Sequence, residues 1–138
     1  MSLLEVDGCK NYSVLSEADC EGDSLPPRSR CNSRLETGWY RFEGAAGERM
    51  PDKSVFVWRC GTKHPGWLNG THPTVADGVV TRRVCYSRED DRCWLCNNIK
   101  VKNCGGYYVY ELQRTPDCTL RYCGNTVACK LYSFEKLR

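Results

Sequence analysis

From Cys31 onward the spacing of apolar and polar residues follows strands, and helical periodicity is weak everywhere. Ile99-Lys100-Val101-Lys102 alternates apolar with basic, the period-two signature of a half-buried strand. Gly38-Trp39-Tyr40-Arg41-Phe42-Glu43 is aromatic-rich and ends at the turn cluster Gly44-Ala45-Ala46-Gly47. Residues 54–60 hold Val55, Phe56, Val57 and Trp58, apolar on both faces, and predict a buried strand. Asp77-Gly78 opens a strand over 79–86, and Gly105-Gly106 breaks the chain before another over 107–112. Thr115-Pro116-Asp117 predicts a turn, followed by short strands over 118–123 and 127–134 and a last helical turn over 133–138. His64 and His72 each precede a proline, and Lys63-His64-Pro65-Gly66 and Thr71-His72-Pro73 read as turns. The charge run Ser87-Arg88-Glu89-Asp90-Asp91-Arg92 reads as a solvated hairpin tip, its acidic spacing being wrong for a calcium loop.

Residues 1–30 differ from the rest. They are polar and loop-rich, and Leu25-Pro26-Pro27-Arg28 is extended because a residue before proline is pushed out of the α region. Cys9 and Cys20 inside this stretch favour an arm or short hairpin clipped to the body over a free linker. The expected organisation is an N-terminal arm, 1–30, and a cysteine-rich domain, 31–138. Residues 1–6 lack the charged and long apolar stretches of a signal peptide, which predicts a processed chain or an excerpt.

Composition narrows the function class. A length of 138 residues suits one domain, and 20 Lys+Arg against 17 Asp+Glu give a net charge of only +3. With the arginines scattered among acids, no nucleic-acid partner is expected. The mean hydropathy of −0.58 and the short apolar runs predict no transmembrane segment. The 11 cysteines change the picture most, because that density marks a disulfide-stapled domain of an oxidising compartment. The fold class expected is therefore mostly β, small, disulfide-rich and extracellular.

Catalytic and cofactor chemistry finds little support. Cys93-Trp94-Leu95-Cys96 is a C-x-x-C, but a redox site needs that pair at a helix N-terminus in a βαβ context. Zinc needs four thiolate or imidazole ligands in paired spacing, and His64 and His72 form no matching pair. A hydrolase base would have to be one of those two histidines. No enzyme activity, no metal and no cofactor are expected. Two motifs do carry a positive signal: Asn11-Tyr12-Ser13 and Asn69-Gly70-Thr71 are N-glycan acceptors, and such a motif demands an exposed loop.

Taken together, several segments resemble a known family. Gly38-Trp39-Tyr40-Arg41-Phe42, Arg49-Met50-Pro51, Trp67-Leu68-Asn69-Gly70-Thr71-His72-Pro73, Cys104-Gly105-Gly106-Tyr107-Tyr108-Val109-Tyr110 and Leu120-Arg121-Tyr122-Cys123 are similar, in order and spacing, to the eight-cysteine domain of uromodulin and the pancreatic zymogen-granule membrane glycoprotein. Cys9-Lys10-Asn11-Tyr12-Ser13-Val14-Leu15 resembles the short hairpin that precedes the domain there. The resemblance implies a secreted, non-enzymatic β module whose N-glycans, here at Asn11 and Asn69, act as bait for bacterial adhesins. The alternative is a lectin-like or inhibitory binder using its own aromatic and arginine side chains. The resemblance also implies disulfide roles for Cys9, Cys31, Cys60, Cys85, Cys93, Cys104, Cys118 and Cys123. Cys20, Cys96 and Cys129 look like additions, whereas Ser54 and Arg92 stand where the family usually has cysteine. Loss of both suggests that those two positions are partners in the family. Eleven is odd, so five internal bridges leave one thiol among Cys20, Cys96 and Cys129. A Cys20–Cys96 or Cys96–Cys129 bridge is the expected use of the additions, with a disulfide-linked dimer as the fate of the remainder.

Overall fold

The structure is a computed structural model and describes residues 7–16, 35–59, 62–115 and 119–124. These form one mixed sheet of seven strands: β1 (Ser13–Leu15), β2 (Gly38–Phe42), β3 (His64–Asn69), β4 (Val79–Arg88), β5 (Asp91–Asn103), β6 (Tyr108–Leu112) and β7 (Leu120–Tyr122). Their order across the sheet is β1-β2-β6-β5-β4-β3-β7. The inner pairings are antiparallel, and only the two edge strands, β1 and β7, join in parallel. The chain is mostly β, as its patterning predicts.

Residues facing one another across paired strands share a face. One face collects Tyr40, Phe42, Leu68, Val84, Tyr86, Ile99, Val101, Tyr110, Leu112, Leu120 and Tyr122, which together make the buried core. Met50 and Ala46, from the connection after β2, close over it. The Met50 N–H donates to the Tyr110 hydroxyl at 3.0 Å, so the covering loop is hydrogen-bonded to the core as well as packed on it. The opposite face carries rows of polar and aromatic side chains. One row runs Thr81–Lys100–Glu111–Trp39 across β4, β5, β6 and β2.

Two local expectations are overturned. Residues 54–59 are a loop, not a buried strand; residue 60 lies outside the described residues. Trp58 takes a left-handed φ of 63°, incompatible with a strand, and its N–H donates to the Lys63 carbonyl at 3.2 Å. Phe56 is 60% exposed, so the apolar run does not enter the core. Conversely, Lys63-His64-Pro65-Gly66 is not a turn, because His64 opens strand β3 and Pro65 is fully buried within it. Proline usually weakens a strand by removing a donor. Here the Ser87 carbonyl on the neighbouring strand accepts from the His64 ring Nδ1 at 2.8 Å. Gly66 is required at its position, since a Cβ there would lie 2.7 Å from the Tyr86 ring.

The expected hairpin tip at 87–92 is present, with β4 and β5 joined by a tight turn at Glu89–Asp90. β5 starts earlier than the alternation suggests and takes in Cys93-Trp94-Leu95-Cys96. The predicted elements over 127–134 and 133–138 lie outside the described residues, as do Pro116 and Asp117 of the predicted turn.

Candidate functional site on the open sheet face

Asn11 ends a tight turn that starts at Asp7. The Asn11 and Lys10 N–H groups both donate to the Asp7 carbonyl at 3.0 Å, and the Asp7 carboxylate accepts from the Cys9 N–H at 3.0 Å. That last bond, aided by Lys102, holds the Asp7 carboxyl below its ordinary range. The disulfide Cys9–Cys104 ties the turn to the residue just after β5, in the β5–β6 connection, across a sequence separation of 95. A closed loop of that order adds about 4.7 kcal/mol in the chain-entropy account. Next to it, the Arg41 guanidinium sits 4.0 Å over the Tyr107 ring and donates to the Tyr12 hydroxyl at 3.1 Å. The Tyr107 hydroxyl donates to the Cys9 carbonyl at 2.7 Å. Asn11 and Ser13, the two ends of the acceptor motif, are exposed above this anchored base. Asn11 also lines a cavity of about 920 Å³ with Trp39, Lys100, Lys102 and Glu111, on the face opposite the core.

Asn69 is the exposed last residue of β3, opposite Arg83 on β4, on that same face. Gly70 follows with φ 155°, and a Cβ on it would meet Arg82 Cδ at 2.9 Å, so the middle position of the motif suits glycine. Arg82 Nε donates to the Thr71 carbonyl at 2.8 Å and pins the third position. Asn69 Nδ2, the atom that a glycan would occupy, donates to Cys85 Sγ at 3.5 Å. An amide nitrogen carries two hydrogens, so one remains for the sulfur after attachment.

The row beside Asn69 on this face is Trp67–Cys85–Cys96, each opposite the next across β3, β4 and β5. Cys85 is disulfide-bonded to Cys93, not to its facing residue Cys96, with a Cα–Cα distance of 4.6 Å. Cys96 is a free, exposed thiol, so neither the Cys20–Cys96 nor the Cys96–Cys129 bridge is formed. Cys123 is also disulfide-bonded. Cys20, Cys31, Cys60, Cys118 and Cys129 lie outside the described residues. Ser54 and Arg92, the two positions where the resemblance leads one to expect cysteine, meet directly: Arg92 Nη1 donates to Ser54 Oγ at 2.9 Å. Arg92 also lies 4.2 Å over the exposed Phe56 ring, a contact with no sequence signal, since the two residues are far apart in the chain.

The histidines that could have served as bases have other surroundings. His64 is buried, and its ring centroid is 4.5 Å from that of Trp94. The carbonyl at its Nδ1 can only accept, which places a proton on that nitrogen. His72 packs on Tyr108 at 4.5 Å, and its Nε2 lies 2.7 Å from the Tyr110 hydroxyl. Burial, reinforced by Arg49 and Arg82 against Asp52, lowers its pKa to about 4. Among the described residues no group of His, Cys, Asp and Glu could hold a metal ion, and no helix is long and apolar enough to cross a membrane.

A sequence profile for the uromodulin-like eight-cysteine domain matches residues 40–124. The chain is 41% identical over 121 residues to rat (Rattus norvegicus) pancreatic secretory granule membrane major glycoprotein GP2, covering 85% of this chain and 23% of that protein. It is 42% identical over 118 residues to the human (Homo sapiens) GP2, covering 85% and 22%. Against rat uromodulin the identity is 43% over 118 residues, covering 85% and 18%. The chain thus spans less than a quarter of the length of these relatives. Its disulfides and these relatives make it an extracellular domain. On the extent of the profile match and these identities, the chain belongs to the uromodulin-like eight-cysteine domain family.

Proposed function

We propose that this domain is a secreted, non-enzymatic recognition and adhesion module that presents N-glycans on Asn11 and Asn69 as bait for microbial adhesins. The observation that carries the reading is their placement. Both acceptors are exposed on the side of the sheet away from the core, each on backbone held by its own hydrogen bonds. A fixed anchor loses little ordering entropy when an adhesin closes on the sugar. The GP2 relatives are glycoproteins by name, which supports the same reading. In it, residues 1–30 serve as an arm bearing Asn11 and 31–138 as the body bearing Asn69. The exposed Cys96 thiol provides a route to a disulfide-linked dimer, which non-reducing electrophoresis would reveal.

Asn11→Gln and Asn69→Gln, made singly and together in a glycosylating host, test the proposal. Each change is expected to remove one glycan from the intact mass, and the double change to abolish capture of mannose-specific bacteria. Unchanged mass, or unchanged capture without either glycan, overturns it.

A second reading rests on the Arg92–Phe56 pair and the Trp39 cavity, an aromatic and charged surface able to bind a protein or sugar directly. Enzymatic deglycosylation separates the two, since a side-chain surface keeps its ligand once the sugars are gone.

A further inference from the structure

Cys85, Cys93 and Cys96 form a three-sulfur arrangement in which one cysteine has two partners within reach. In an unbroken β4–β5 ladder, Cys96 faces Cys85, and Cys93 would face Arg88. Three residues along a strand is about 10 Å, beyond the ~7 Å at which two cysteines can be bridged. The ladder is broken between Tyr86 and Arg88. Tyr86 faces Leu95 and Arg88 faces Asp91, so a step of two residues on β4 is met by a step of four on β5. This bulge brings Cys93 back to a Cα–Cα distance of 4.6 Å from Cys85, while Cys96 keeps its place directly across. Facing residues of an antiparallel pair lie about 4.5–5.5 Å apart, within bridging range.

We infer that Cys96 is a built-in exchange thiol that converts the Cys85–Cys93 disulfide to Cys85–Cys96. The Cys96 thiolate attacks Cys85 Sγ, the Cys85–Cys93 bond breaks, and Cys93 leaves as a thiolate that takes up the proton Cys96 gave up. One disulfide and one thiol are present before and after, so no oxidant or reductant is consumed. Cys96 is exposed, and Cys93 is only partly buried.

The two states differ in what is fastened. Cys85–Cys93 staples the bulge, which carries Arg92 and Trp94 against Phe56 and His64. Cys85–Cys96 staples the regular ladder instead and leaves the bulge held only by weaker contacts. Exchange would thereby govern the order of the exposed Arg92–Phe56 surface. The inference does not depend on the glycans.

The monomeric protein, equilibrated with a trace of reduced and oxidised glutathione at pH 8, is pulsed with N-ethylmaleimide and digested with trypsin without reduction. Cys93 and Cys96 share one tryptic peptide, and fragmentation between Trp94 and Leu95 locates the label. The expected result is label on Cys96 in one population and on Cys93 in another, each still disulfide-linked to the peptide of Cys85. Label confined to Cys96 overturns the inference. In Cys93→Ser the loss of maleimide reactivity at both Cys85 and Cys96 is expected, because they bridge each other. Two reactive thiols in a folded Cys93→Ser chain overturn it, and if that variant does not fold, the labelling of the unsubstituted protein decides.

Discussion

The two halves of β5 are built on different principles. From Ile99 to Asn103 the strand runs between β4 and β6, and Lys100, Val101 and Lys102 pair with both. Its side chains alternate, with Ile99 and Val101 in the core and Lys100 exposed between them. From Asp91 to Leu95 it has only β4 beside it, the register is broken, and no alternation survives. That half is fixed by single contacts: the Cys85–Cys93 disulfide, Trp67 Nε1 donating to the Arg92 carbonyl at 2.9 Å, and Arg92 on Phe56 and Ser54. A ladder with neighbours on both sides spreads its stability over many small terms. A bulge at the end of a hairpin concentrates it in a few, and those few are the ones chemistry can switch.

Substitutions on the two sides should separate these modes. Ile99→Ala, in the regular half, should cost about 2–5 kcal/mol in urea unfolding of the disulfide-intact protein, with the spread set by how far the site collapses. Acid should act next most strongly, through His72, which packs on β6 where that strand flanks the regular half. Its folded pKa is about 4 against an ordinary 6.5. Between those values the unfolded chain holds a proton that the folded one lacks. Stability therefore falls as pH is lowered through that window, by at most about 1.4 kcal/mol per pH unit. Melting temperatures across that range should show a smaller decline in His72→Gln than in the parent protein. Tyr110→Phe leaves the Met50 N–H without its acceptor and should cost about 1–3 kcal/mol by the same urea measurement. Arg92→Ala, in the bulged half, should cost under about 1 kcal/mol, because its partners are exposed. Its clearer mark would be faster amide exchange at residues 91–94 with the regular half unaffected. Equal protection in both halves would erase the contrast.

The same division explains what the sequence made legible. Strands at 38–42, 79–88, 108–112 and 120–122 could be read because alternation, flanking glycines and aromatic content are local properties. The acceptor motifs at Asn11 and Asn69 were legible for the same reason. β3 was not, because Pro65 and Gly66 signal a turn, and only packing against Tyr86 and the hydrogen bond from His64 to Ser87 makes a strand of them. Residues 54–59 misled in the opposite direction: their apolar run says burial, but Phe56 is spent on Arg92 at the surface. The pairing of Cys85 with Cys93 depends on a bulge, and a bulge has no signature in spacing alone.

The Cys9–Cys104 bridge has a mechanical consequence. Tension entering the chain ahead of Cys9 and leaving beyond Cys104 passes through the sulfur–sulfur bond. The bond bypasses the intervening polypeptide, which includes β1 to β5. Both acceptor motifs lie on that bypassed span. A pull along the chain would reach β6 and β7 along the backbone, and the platform bearing Asn11 and Asn69 only through the sheet's cross-strand bonds and any further disulfide.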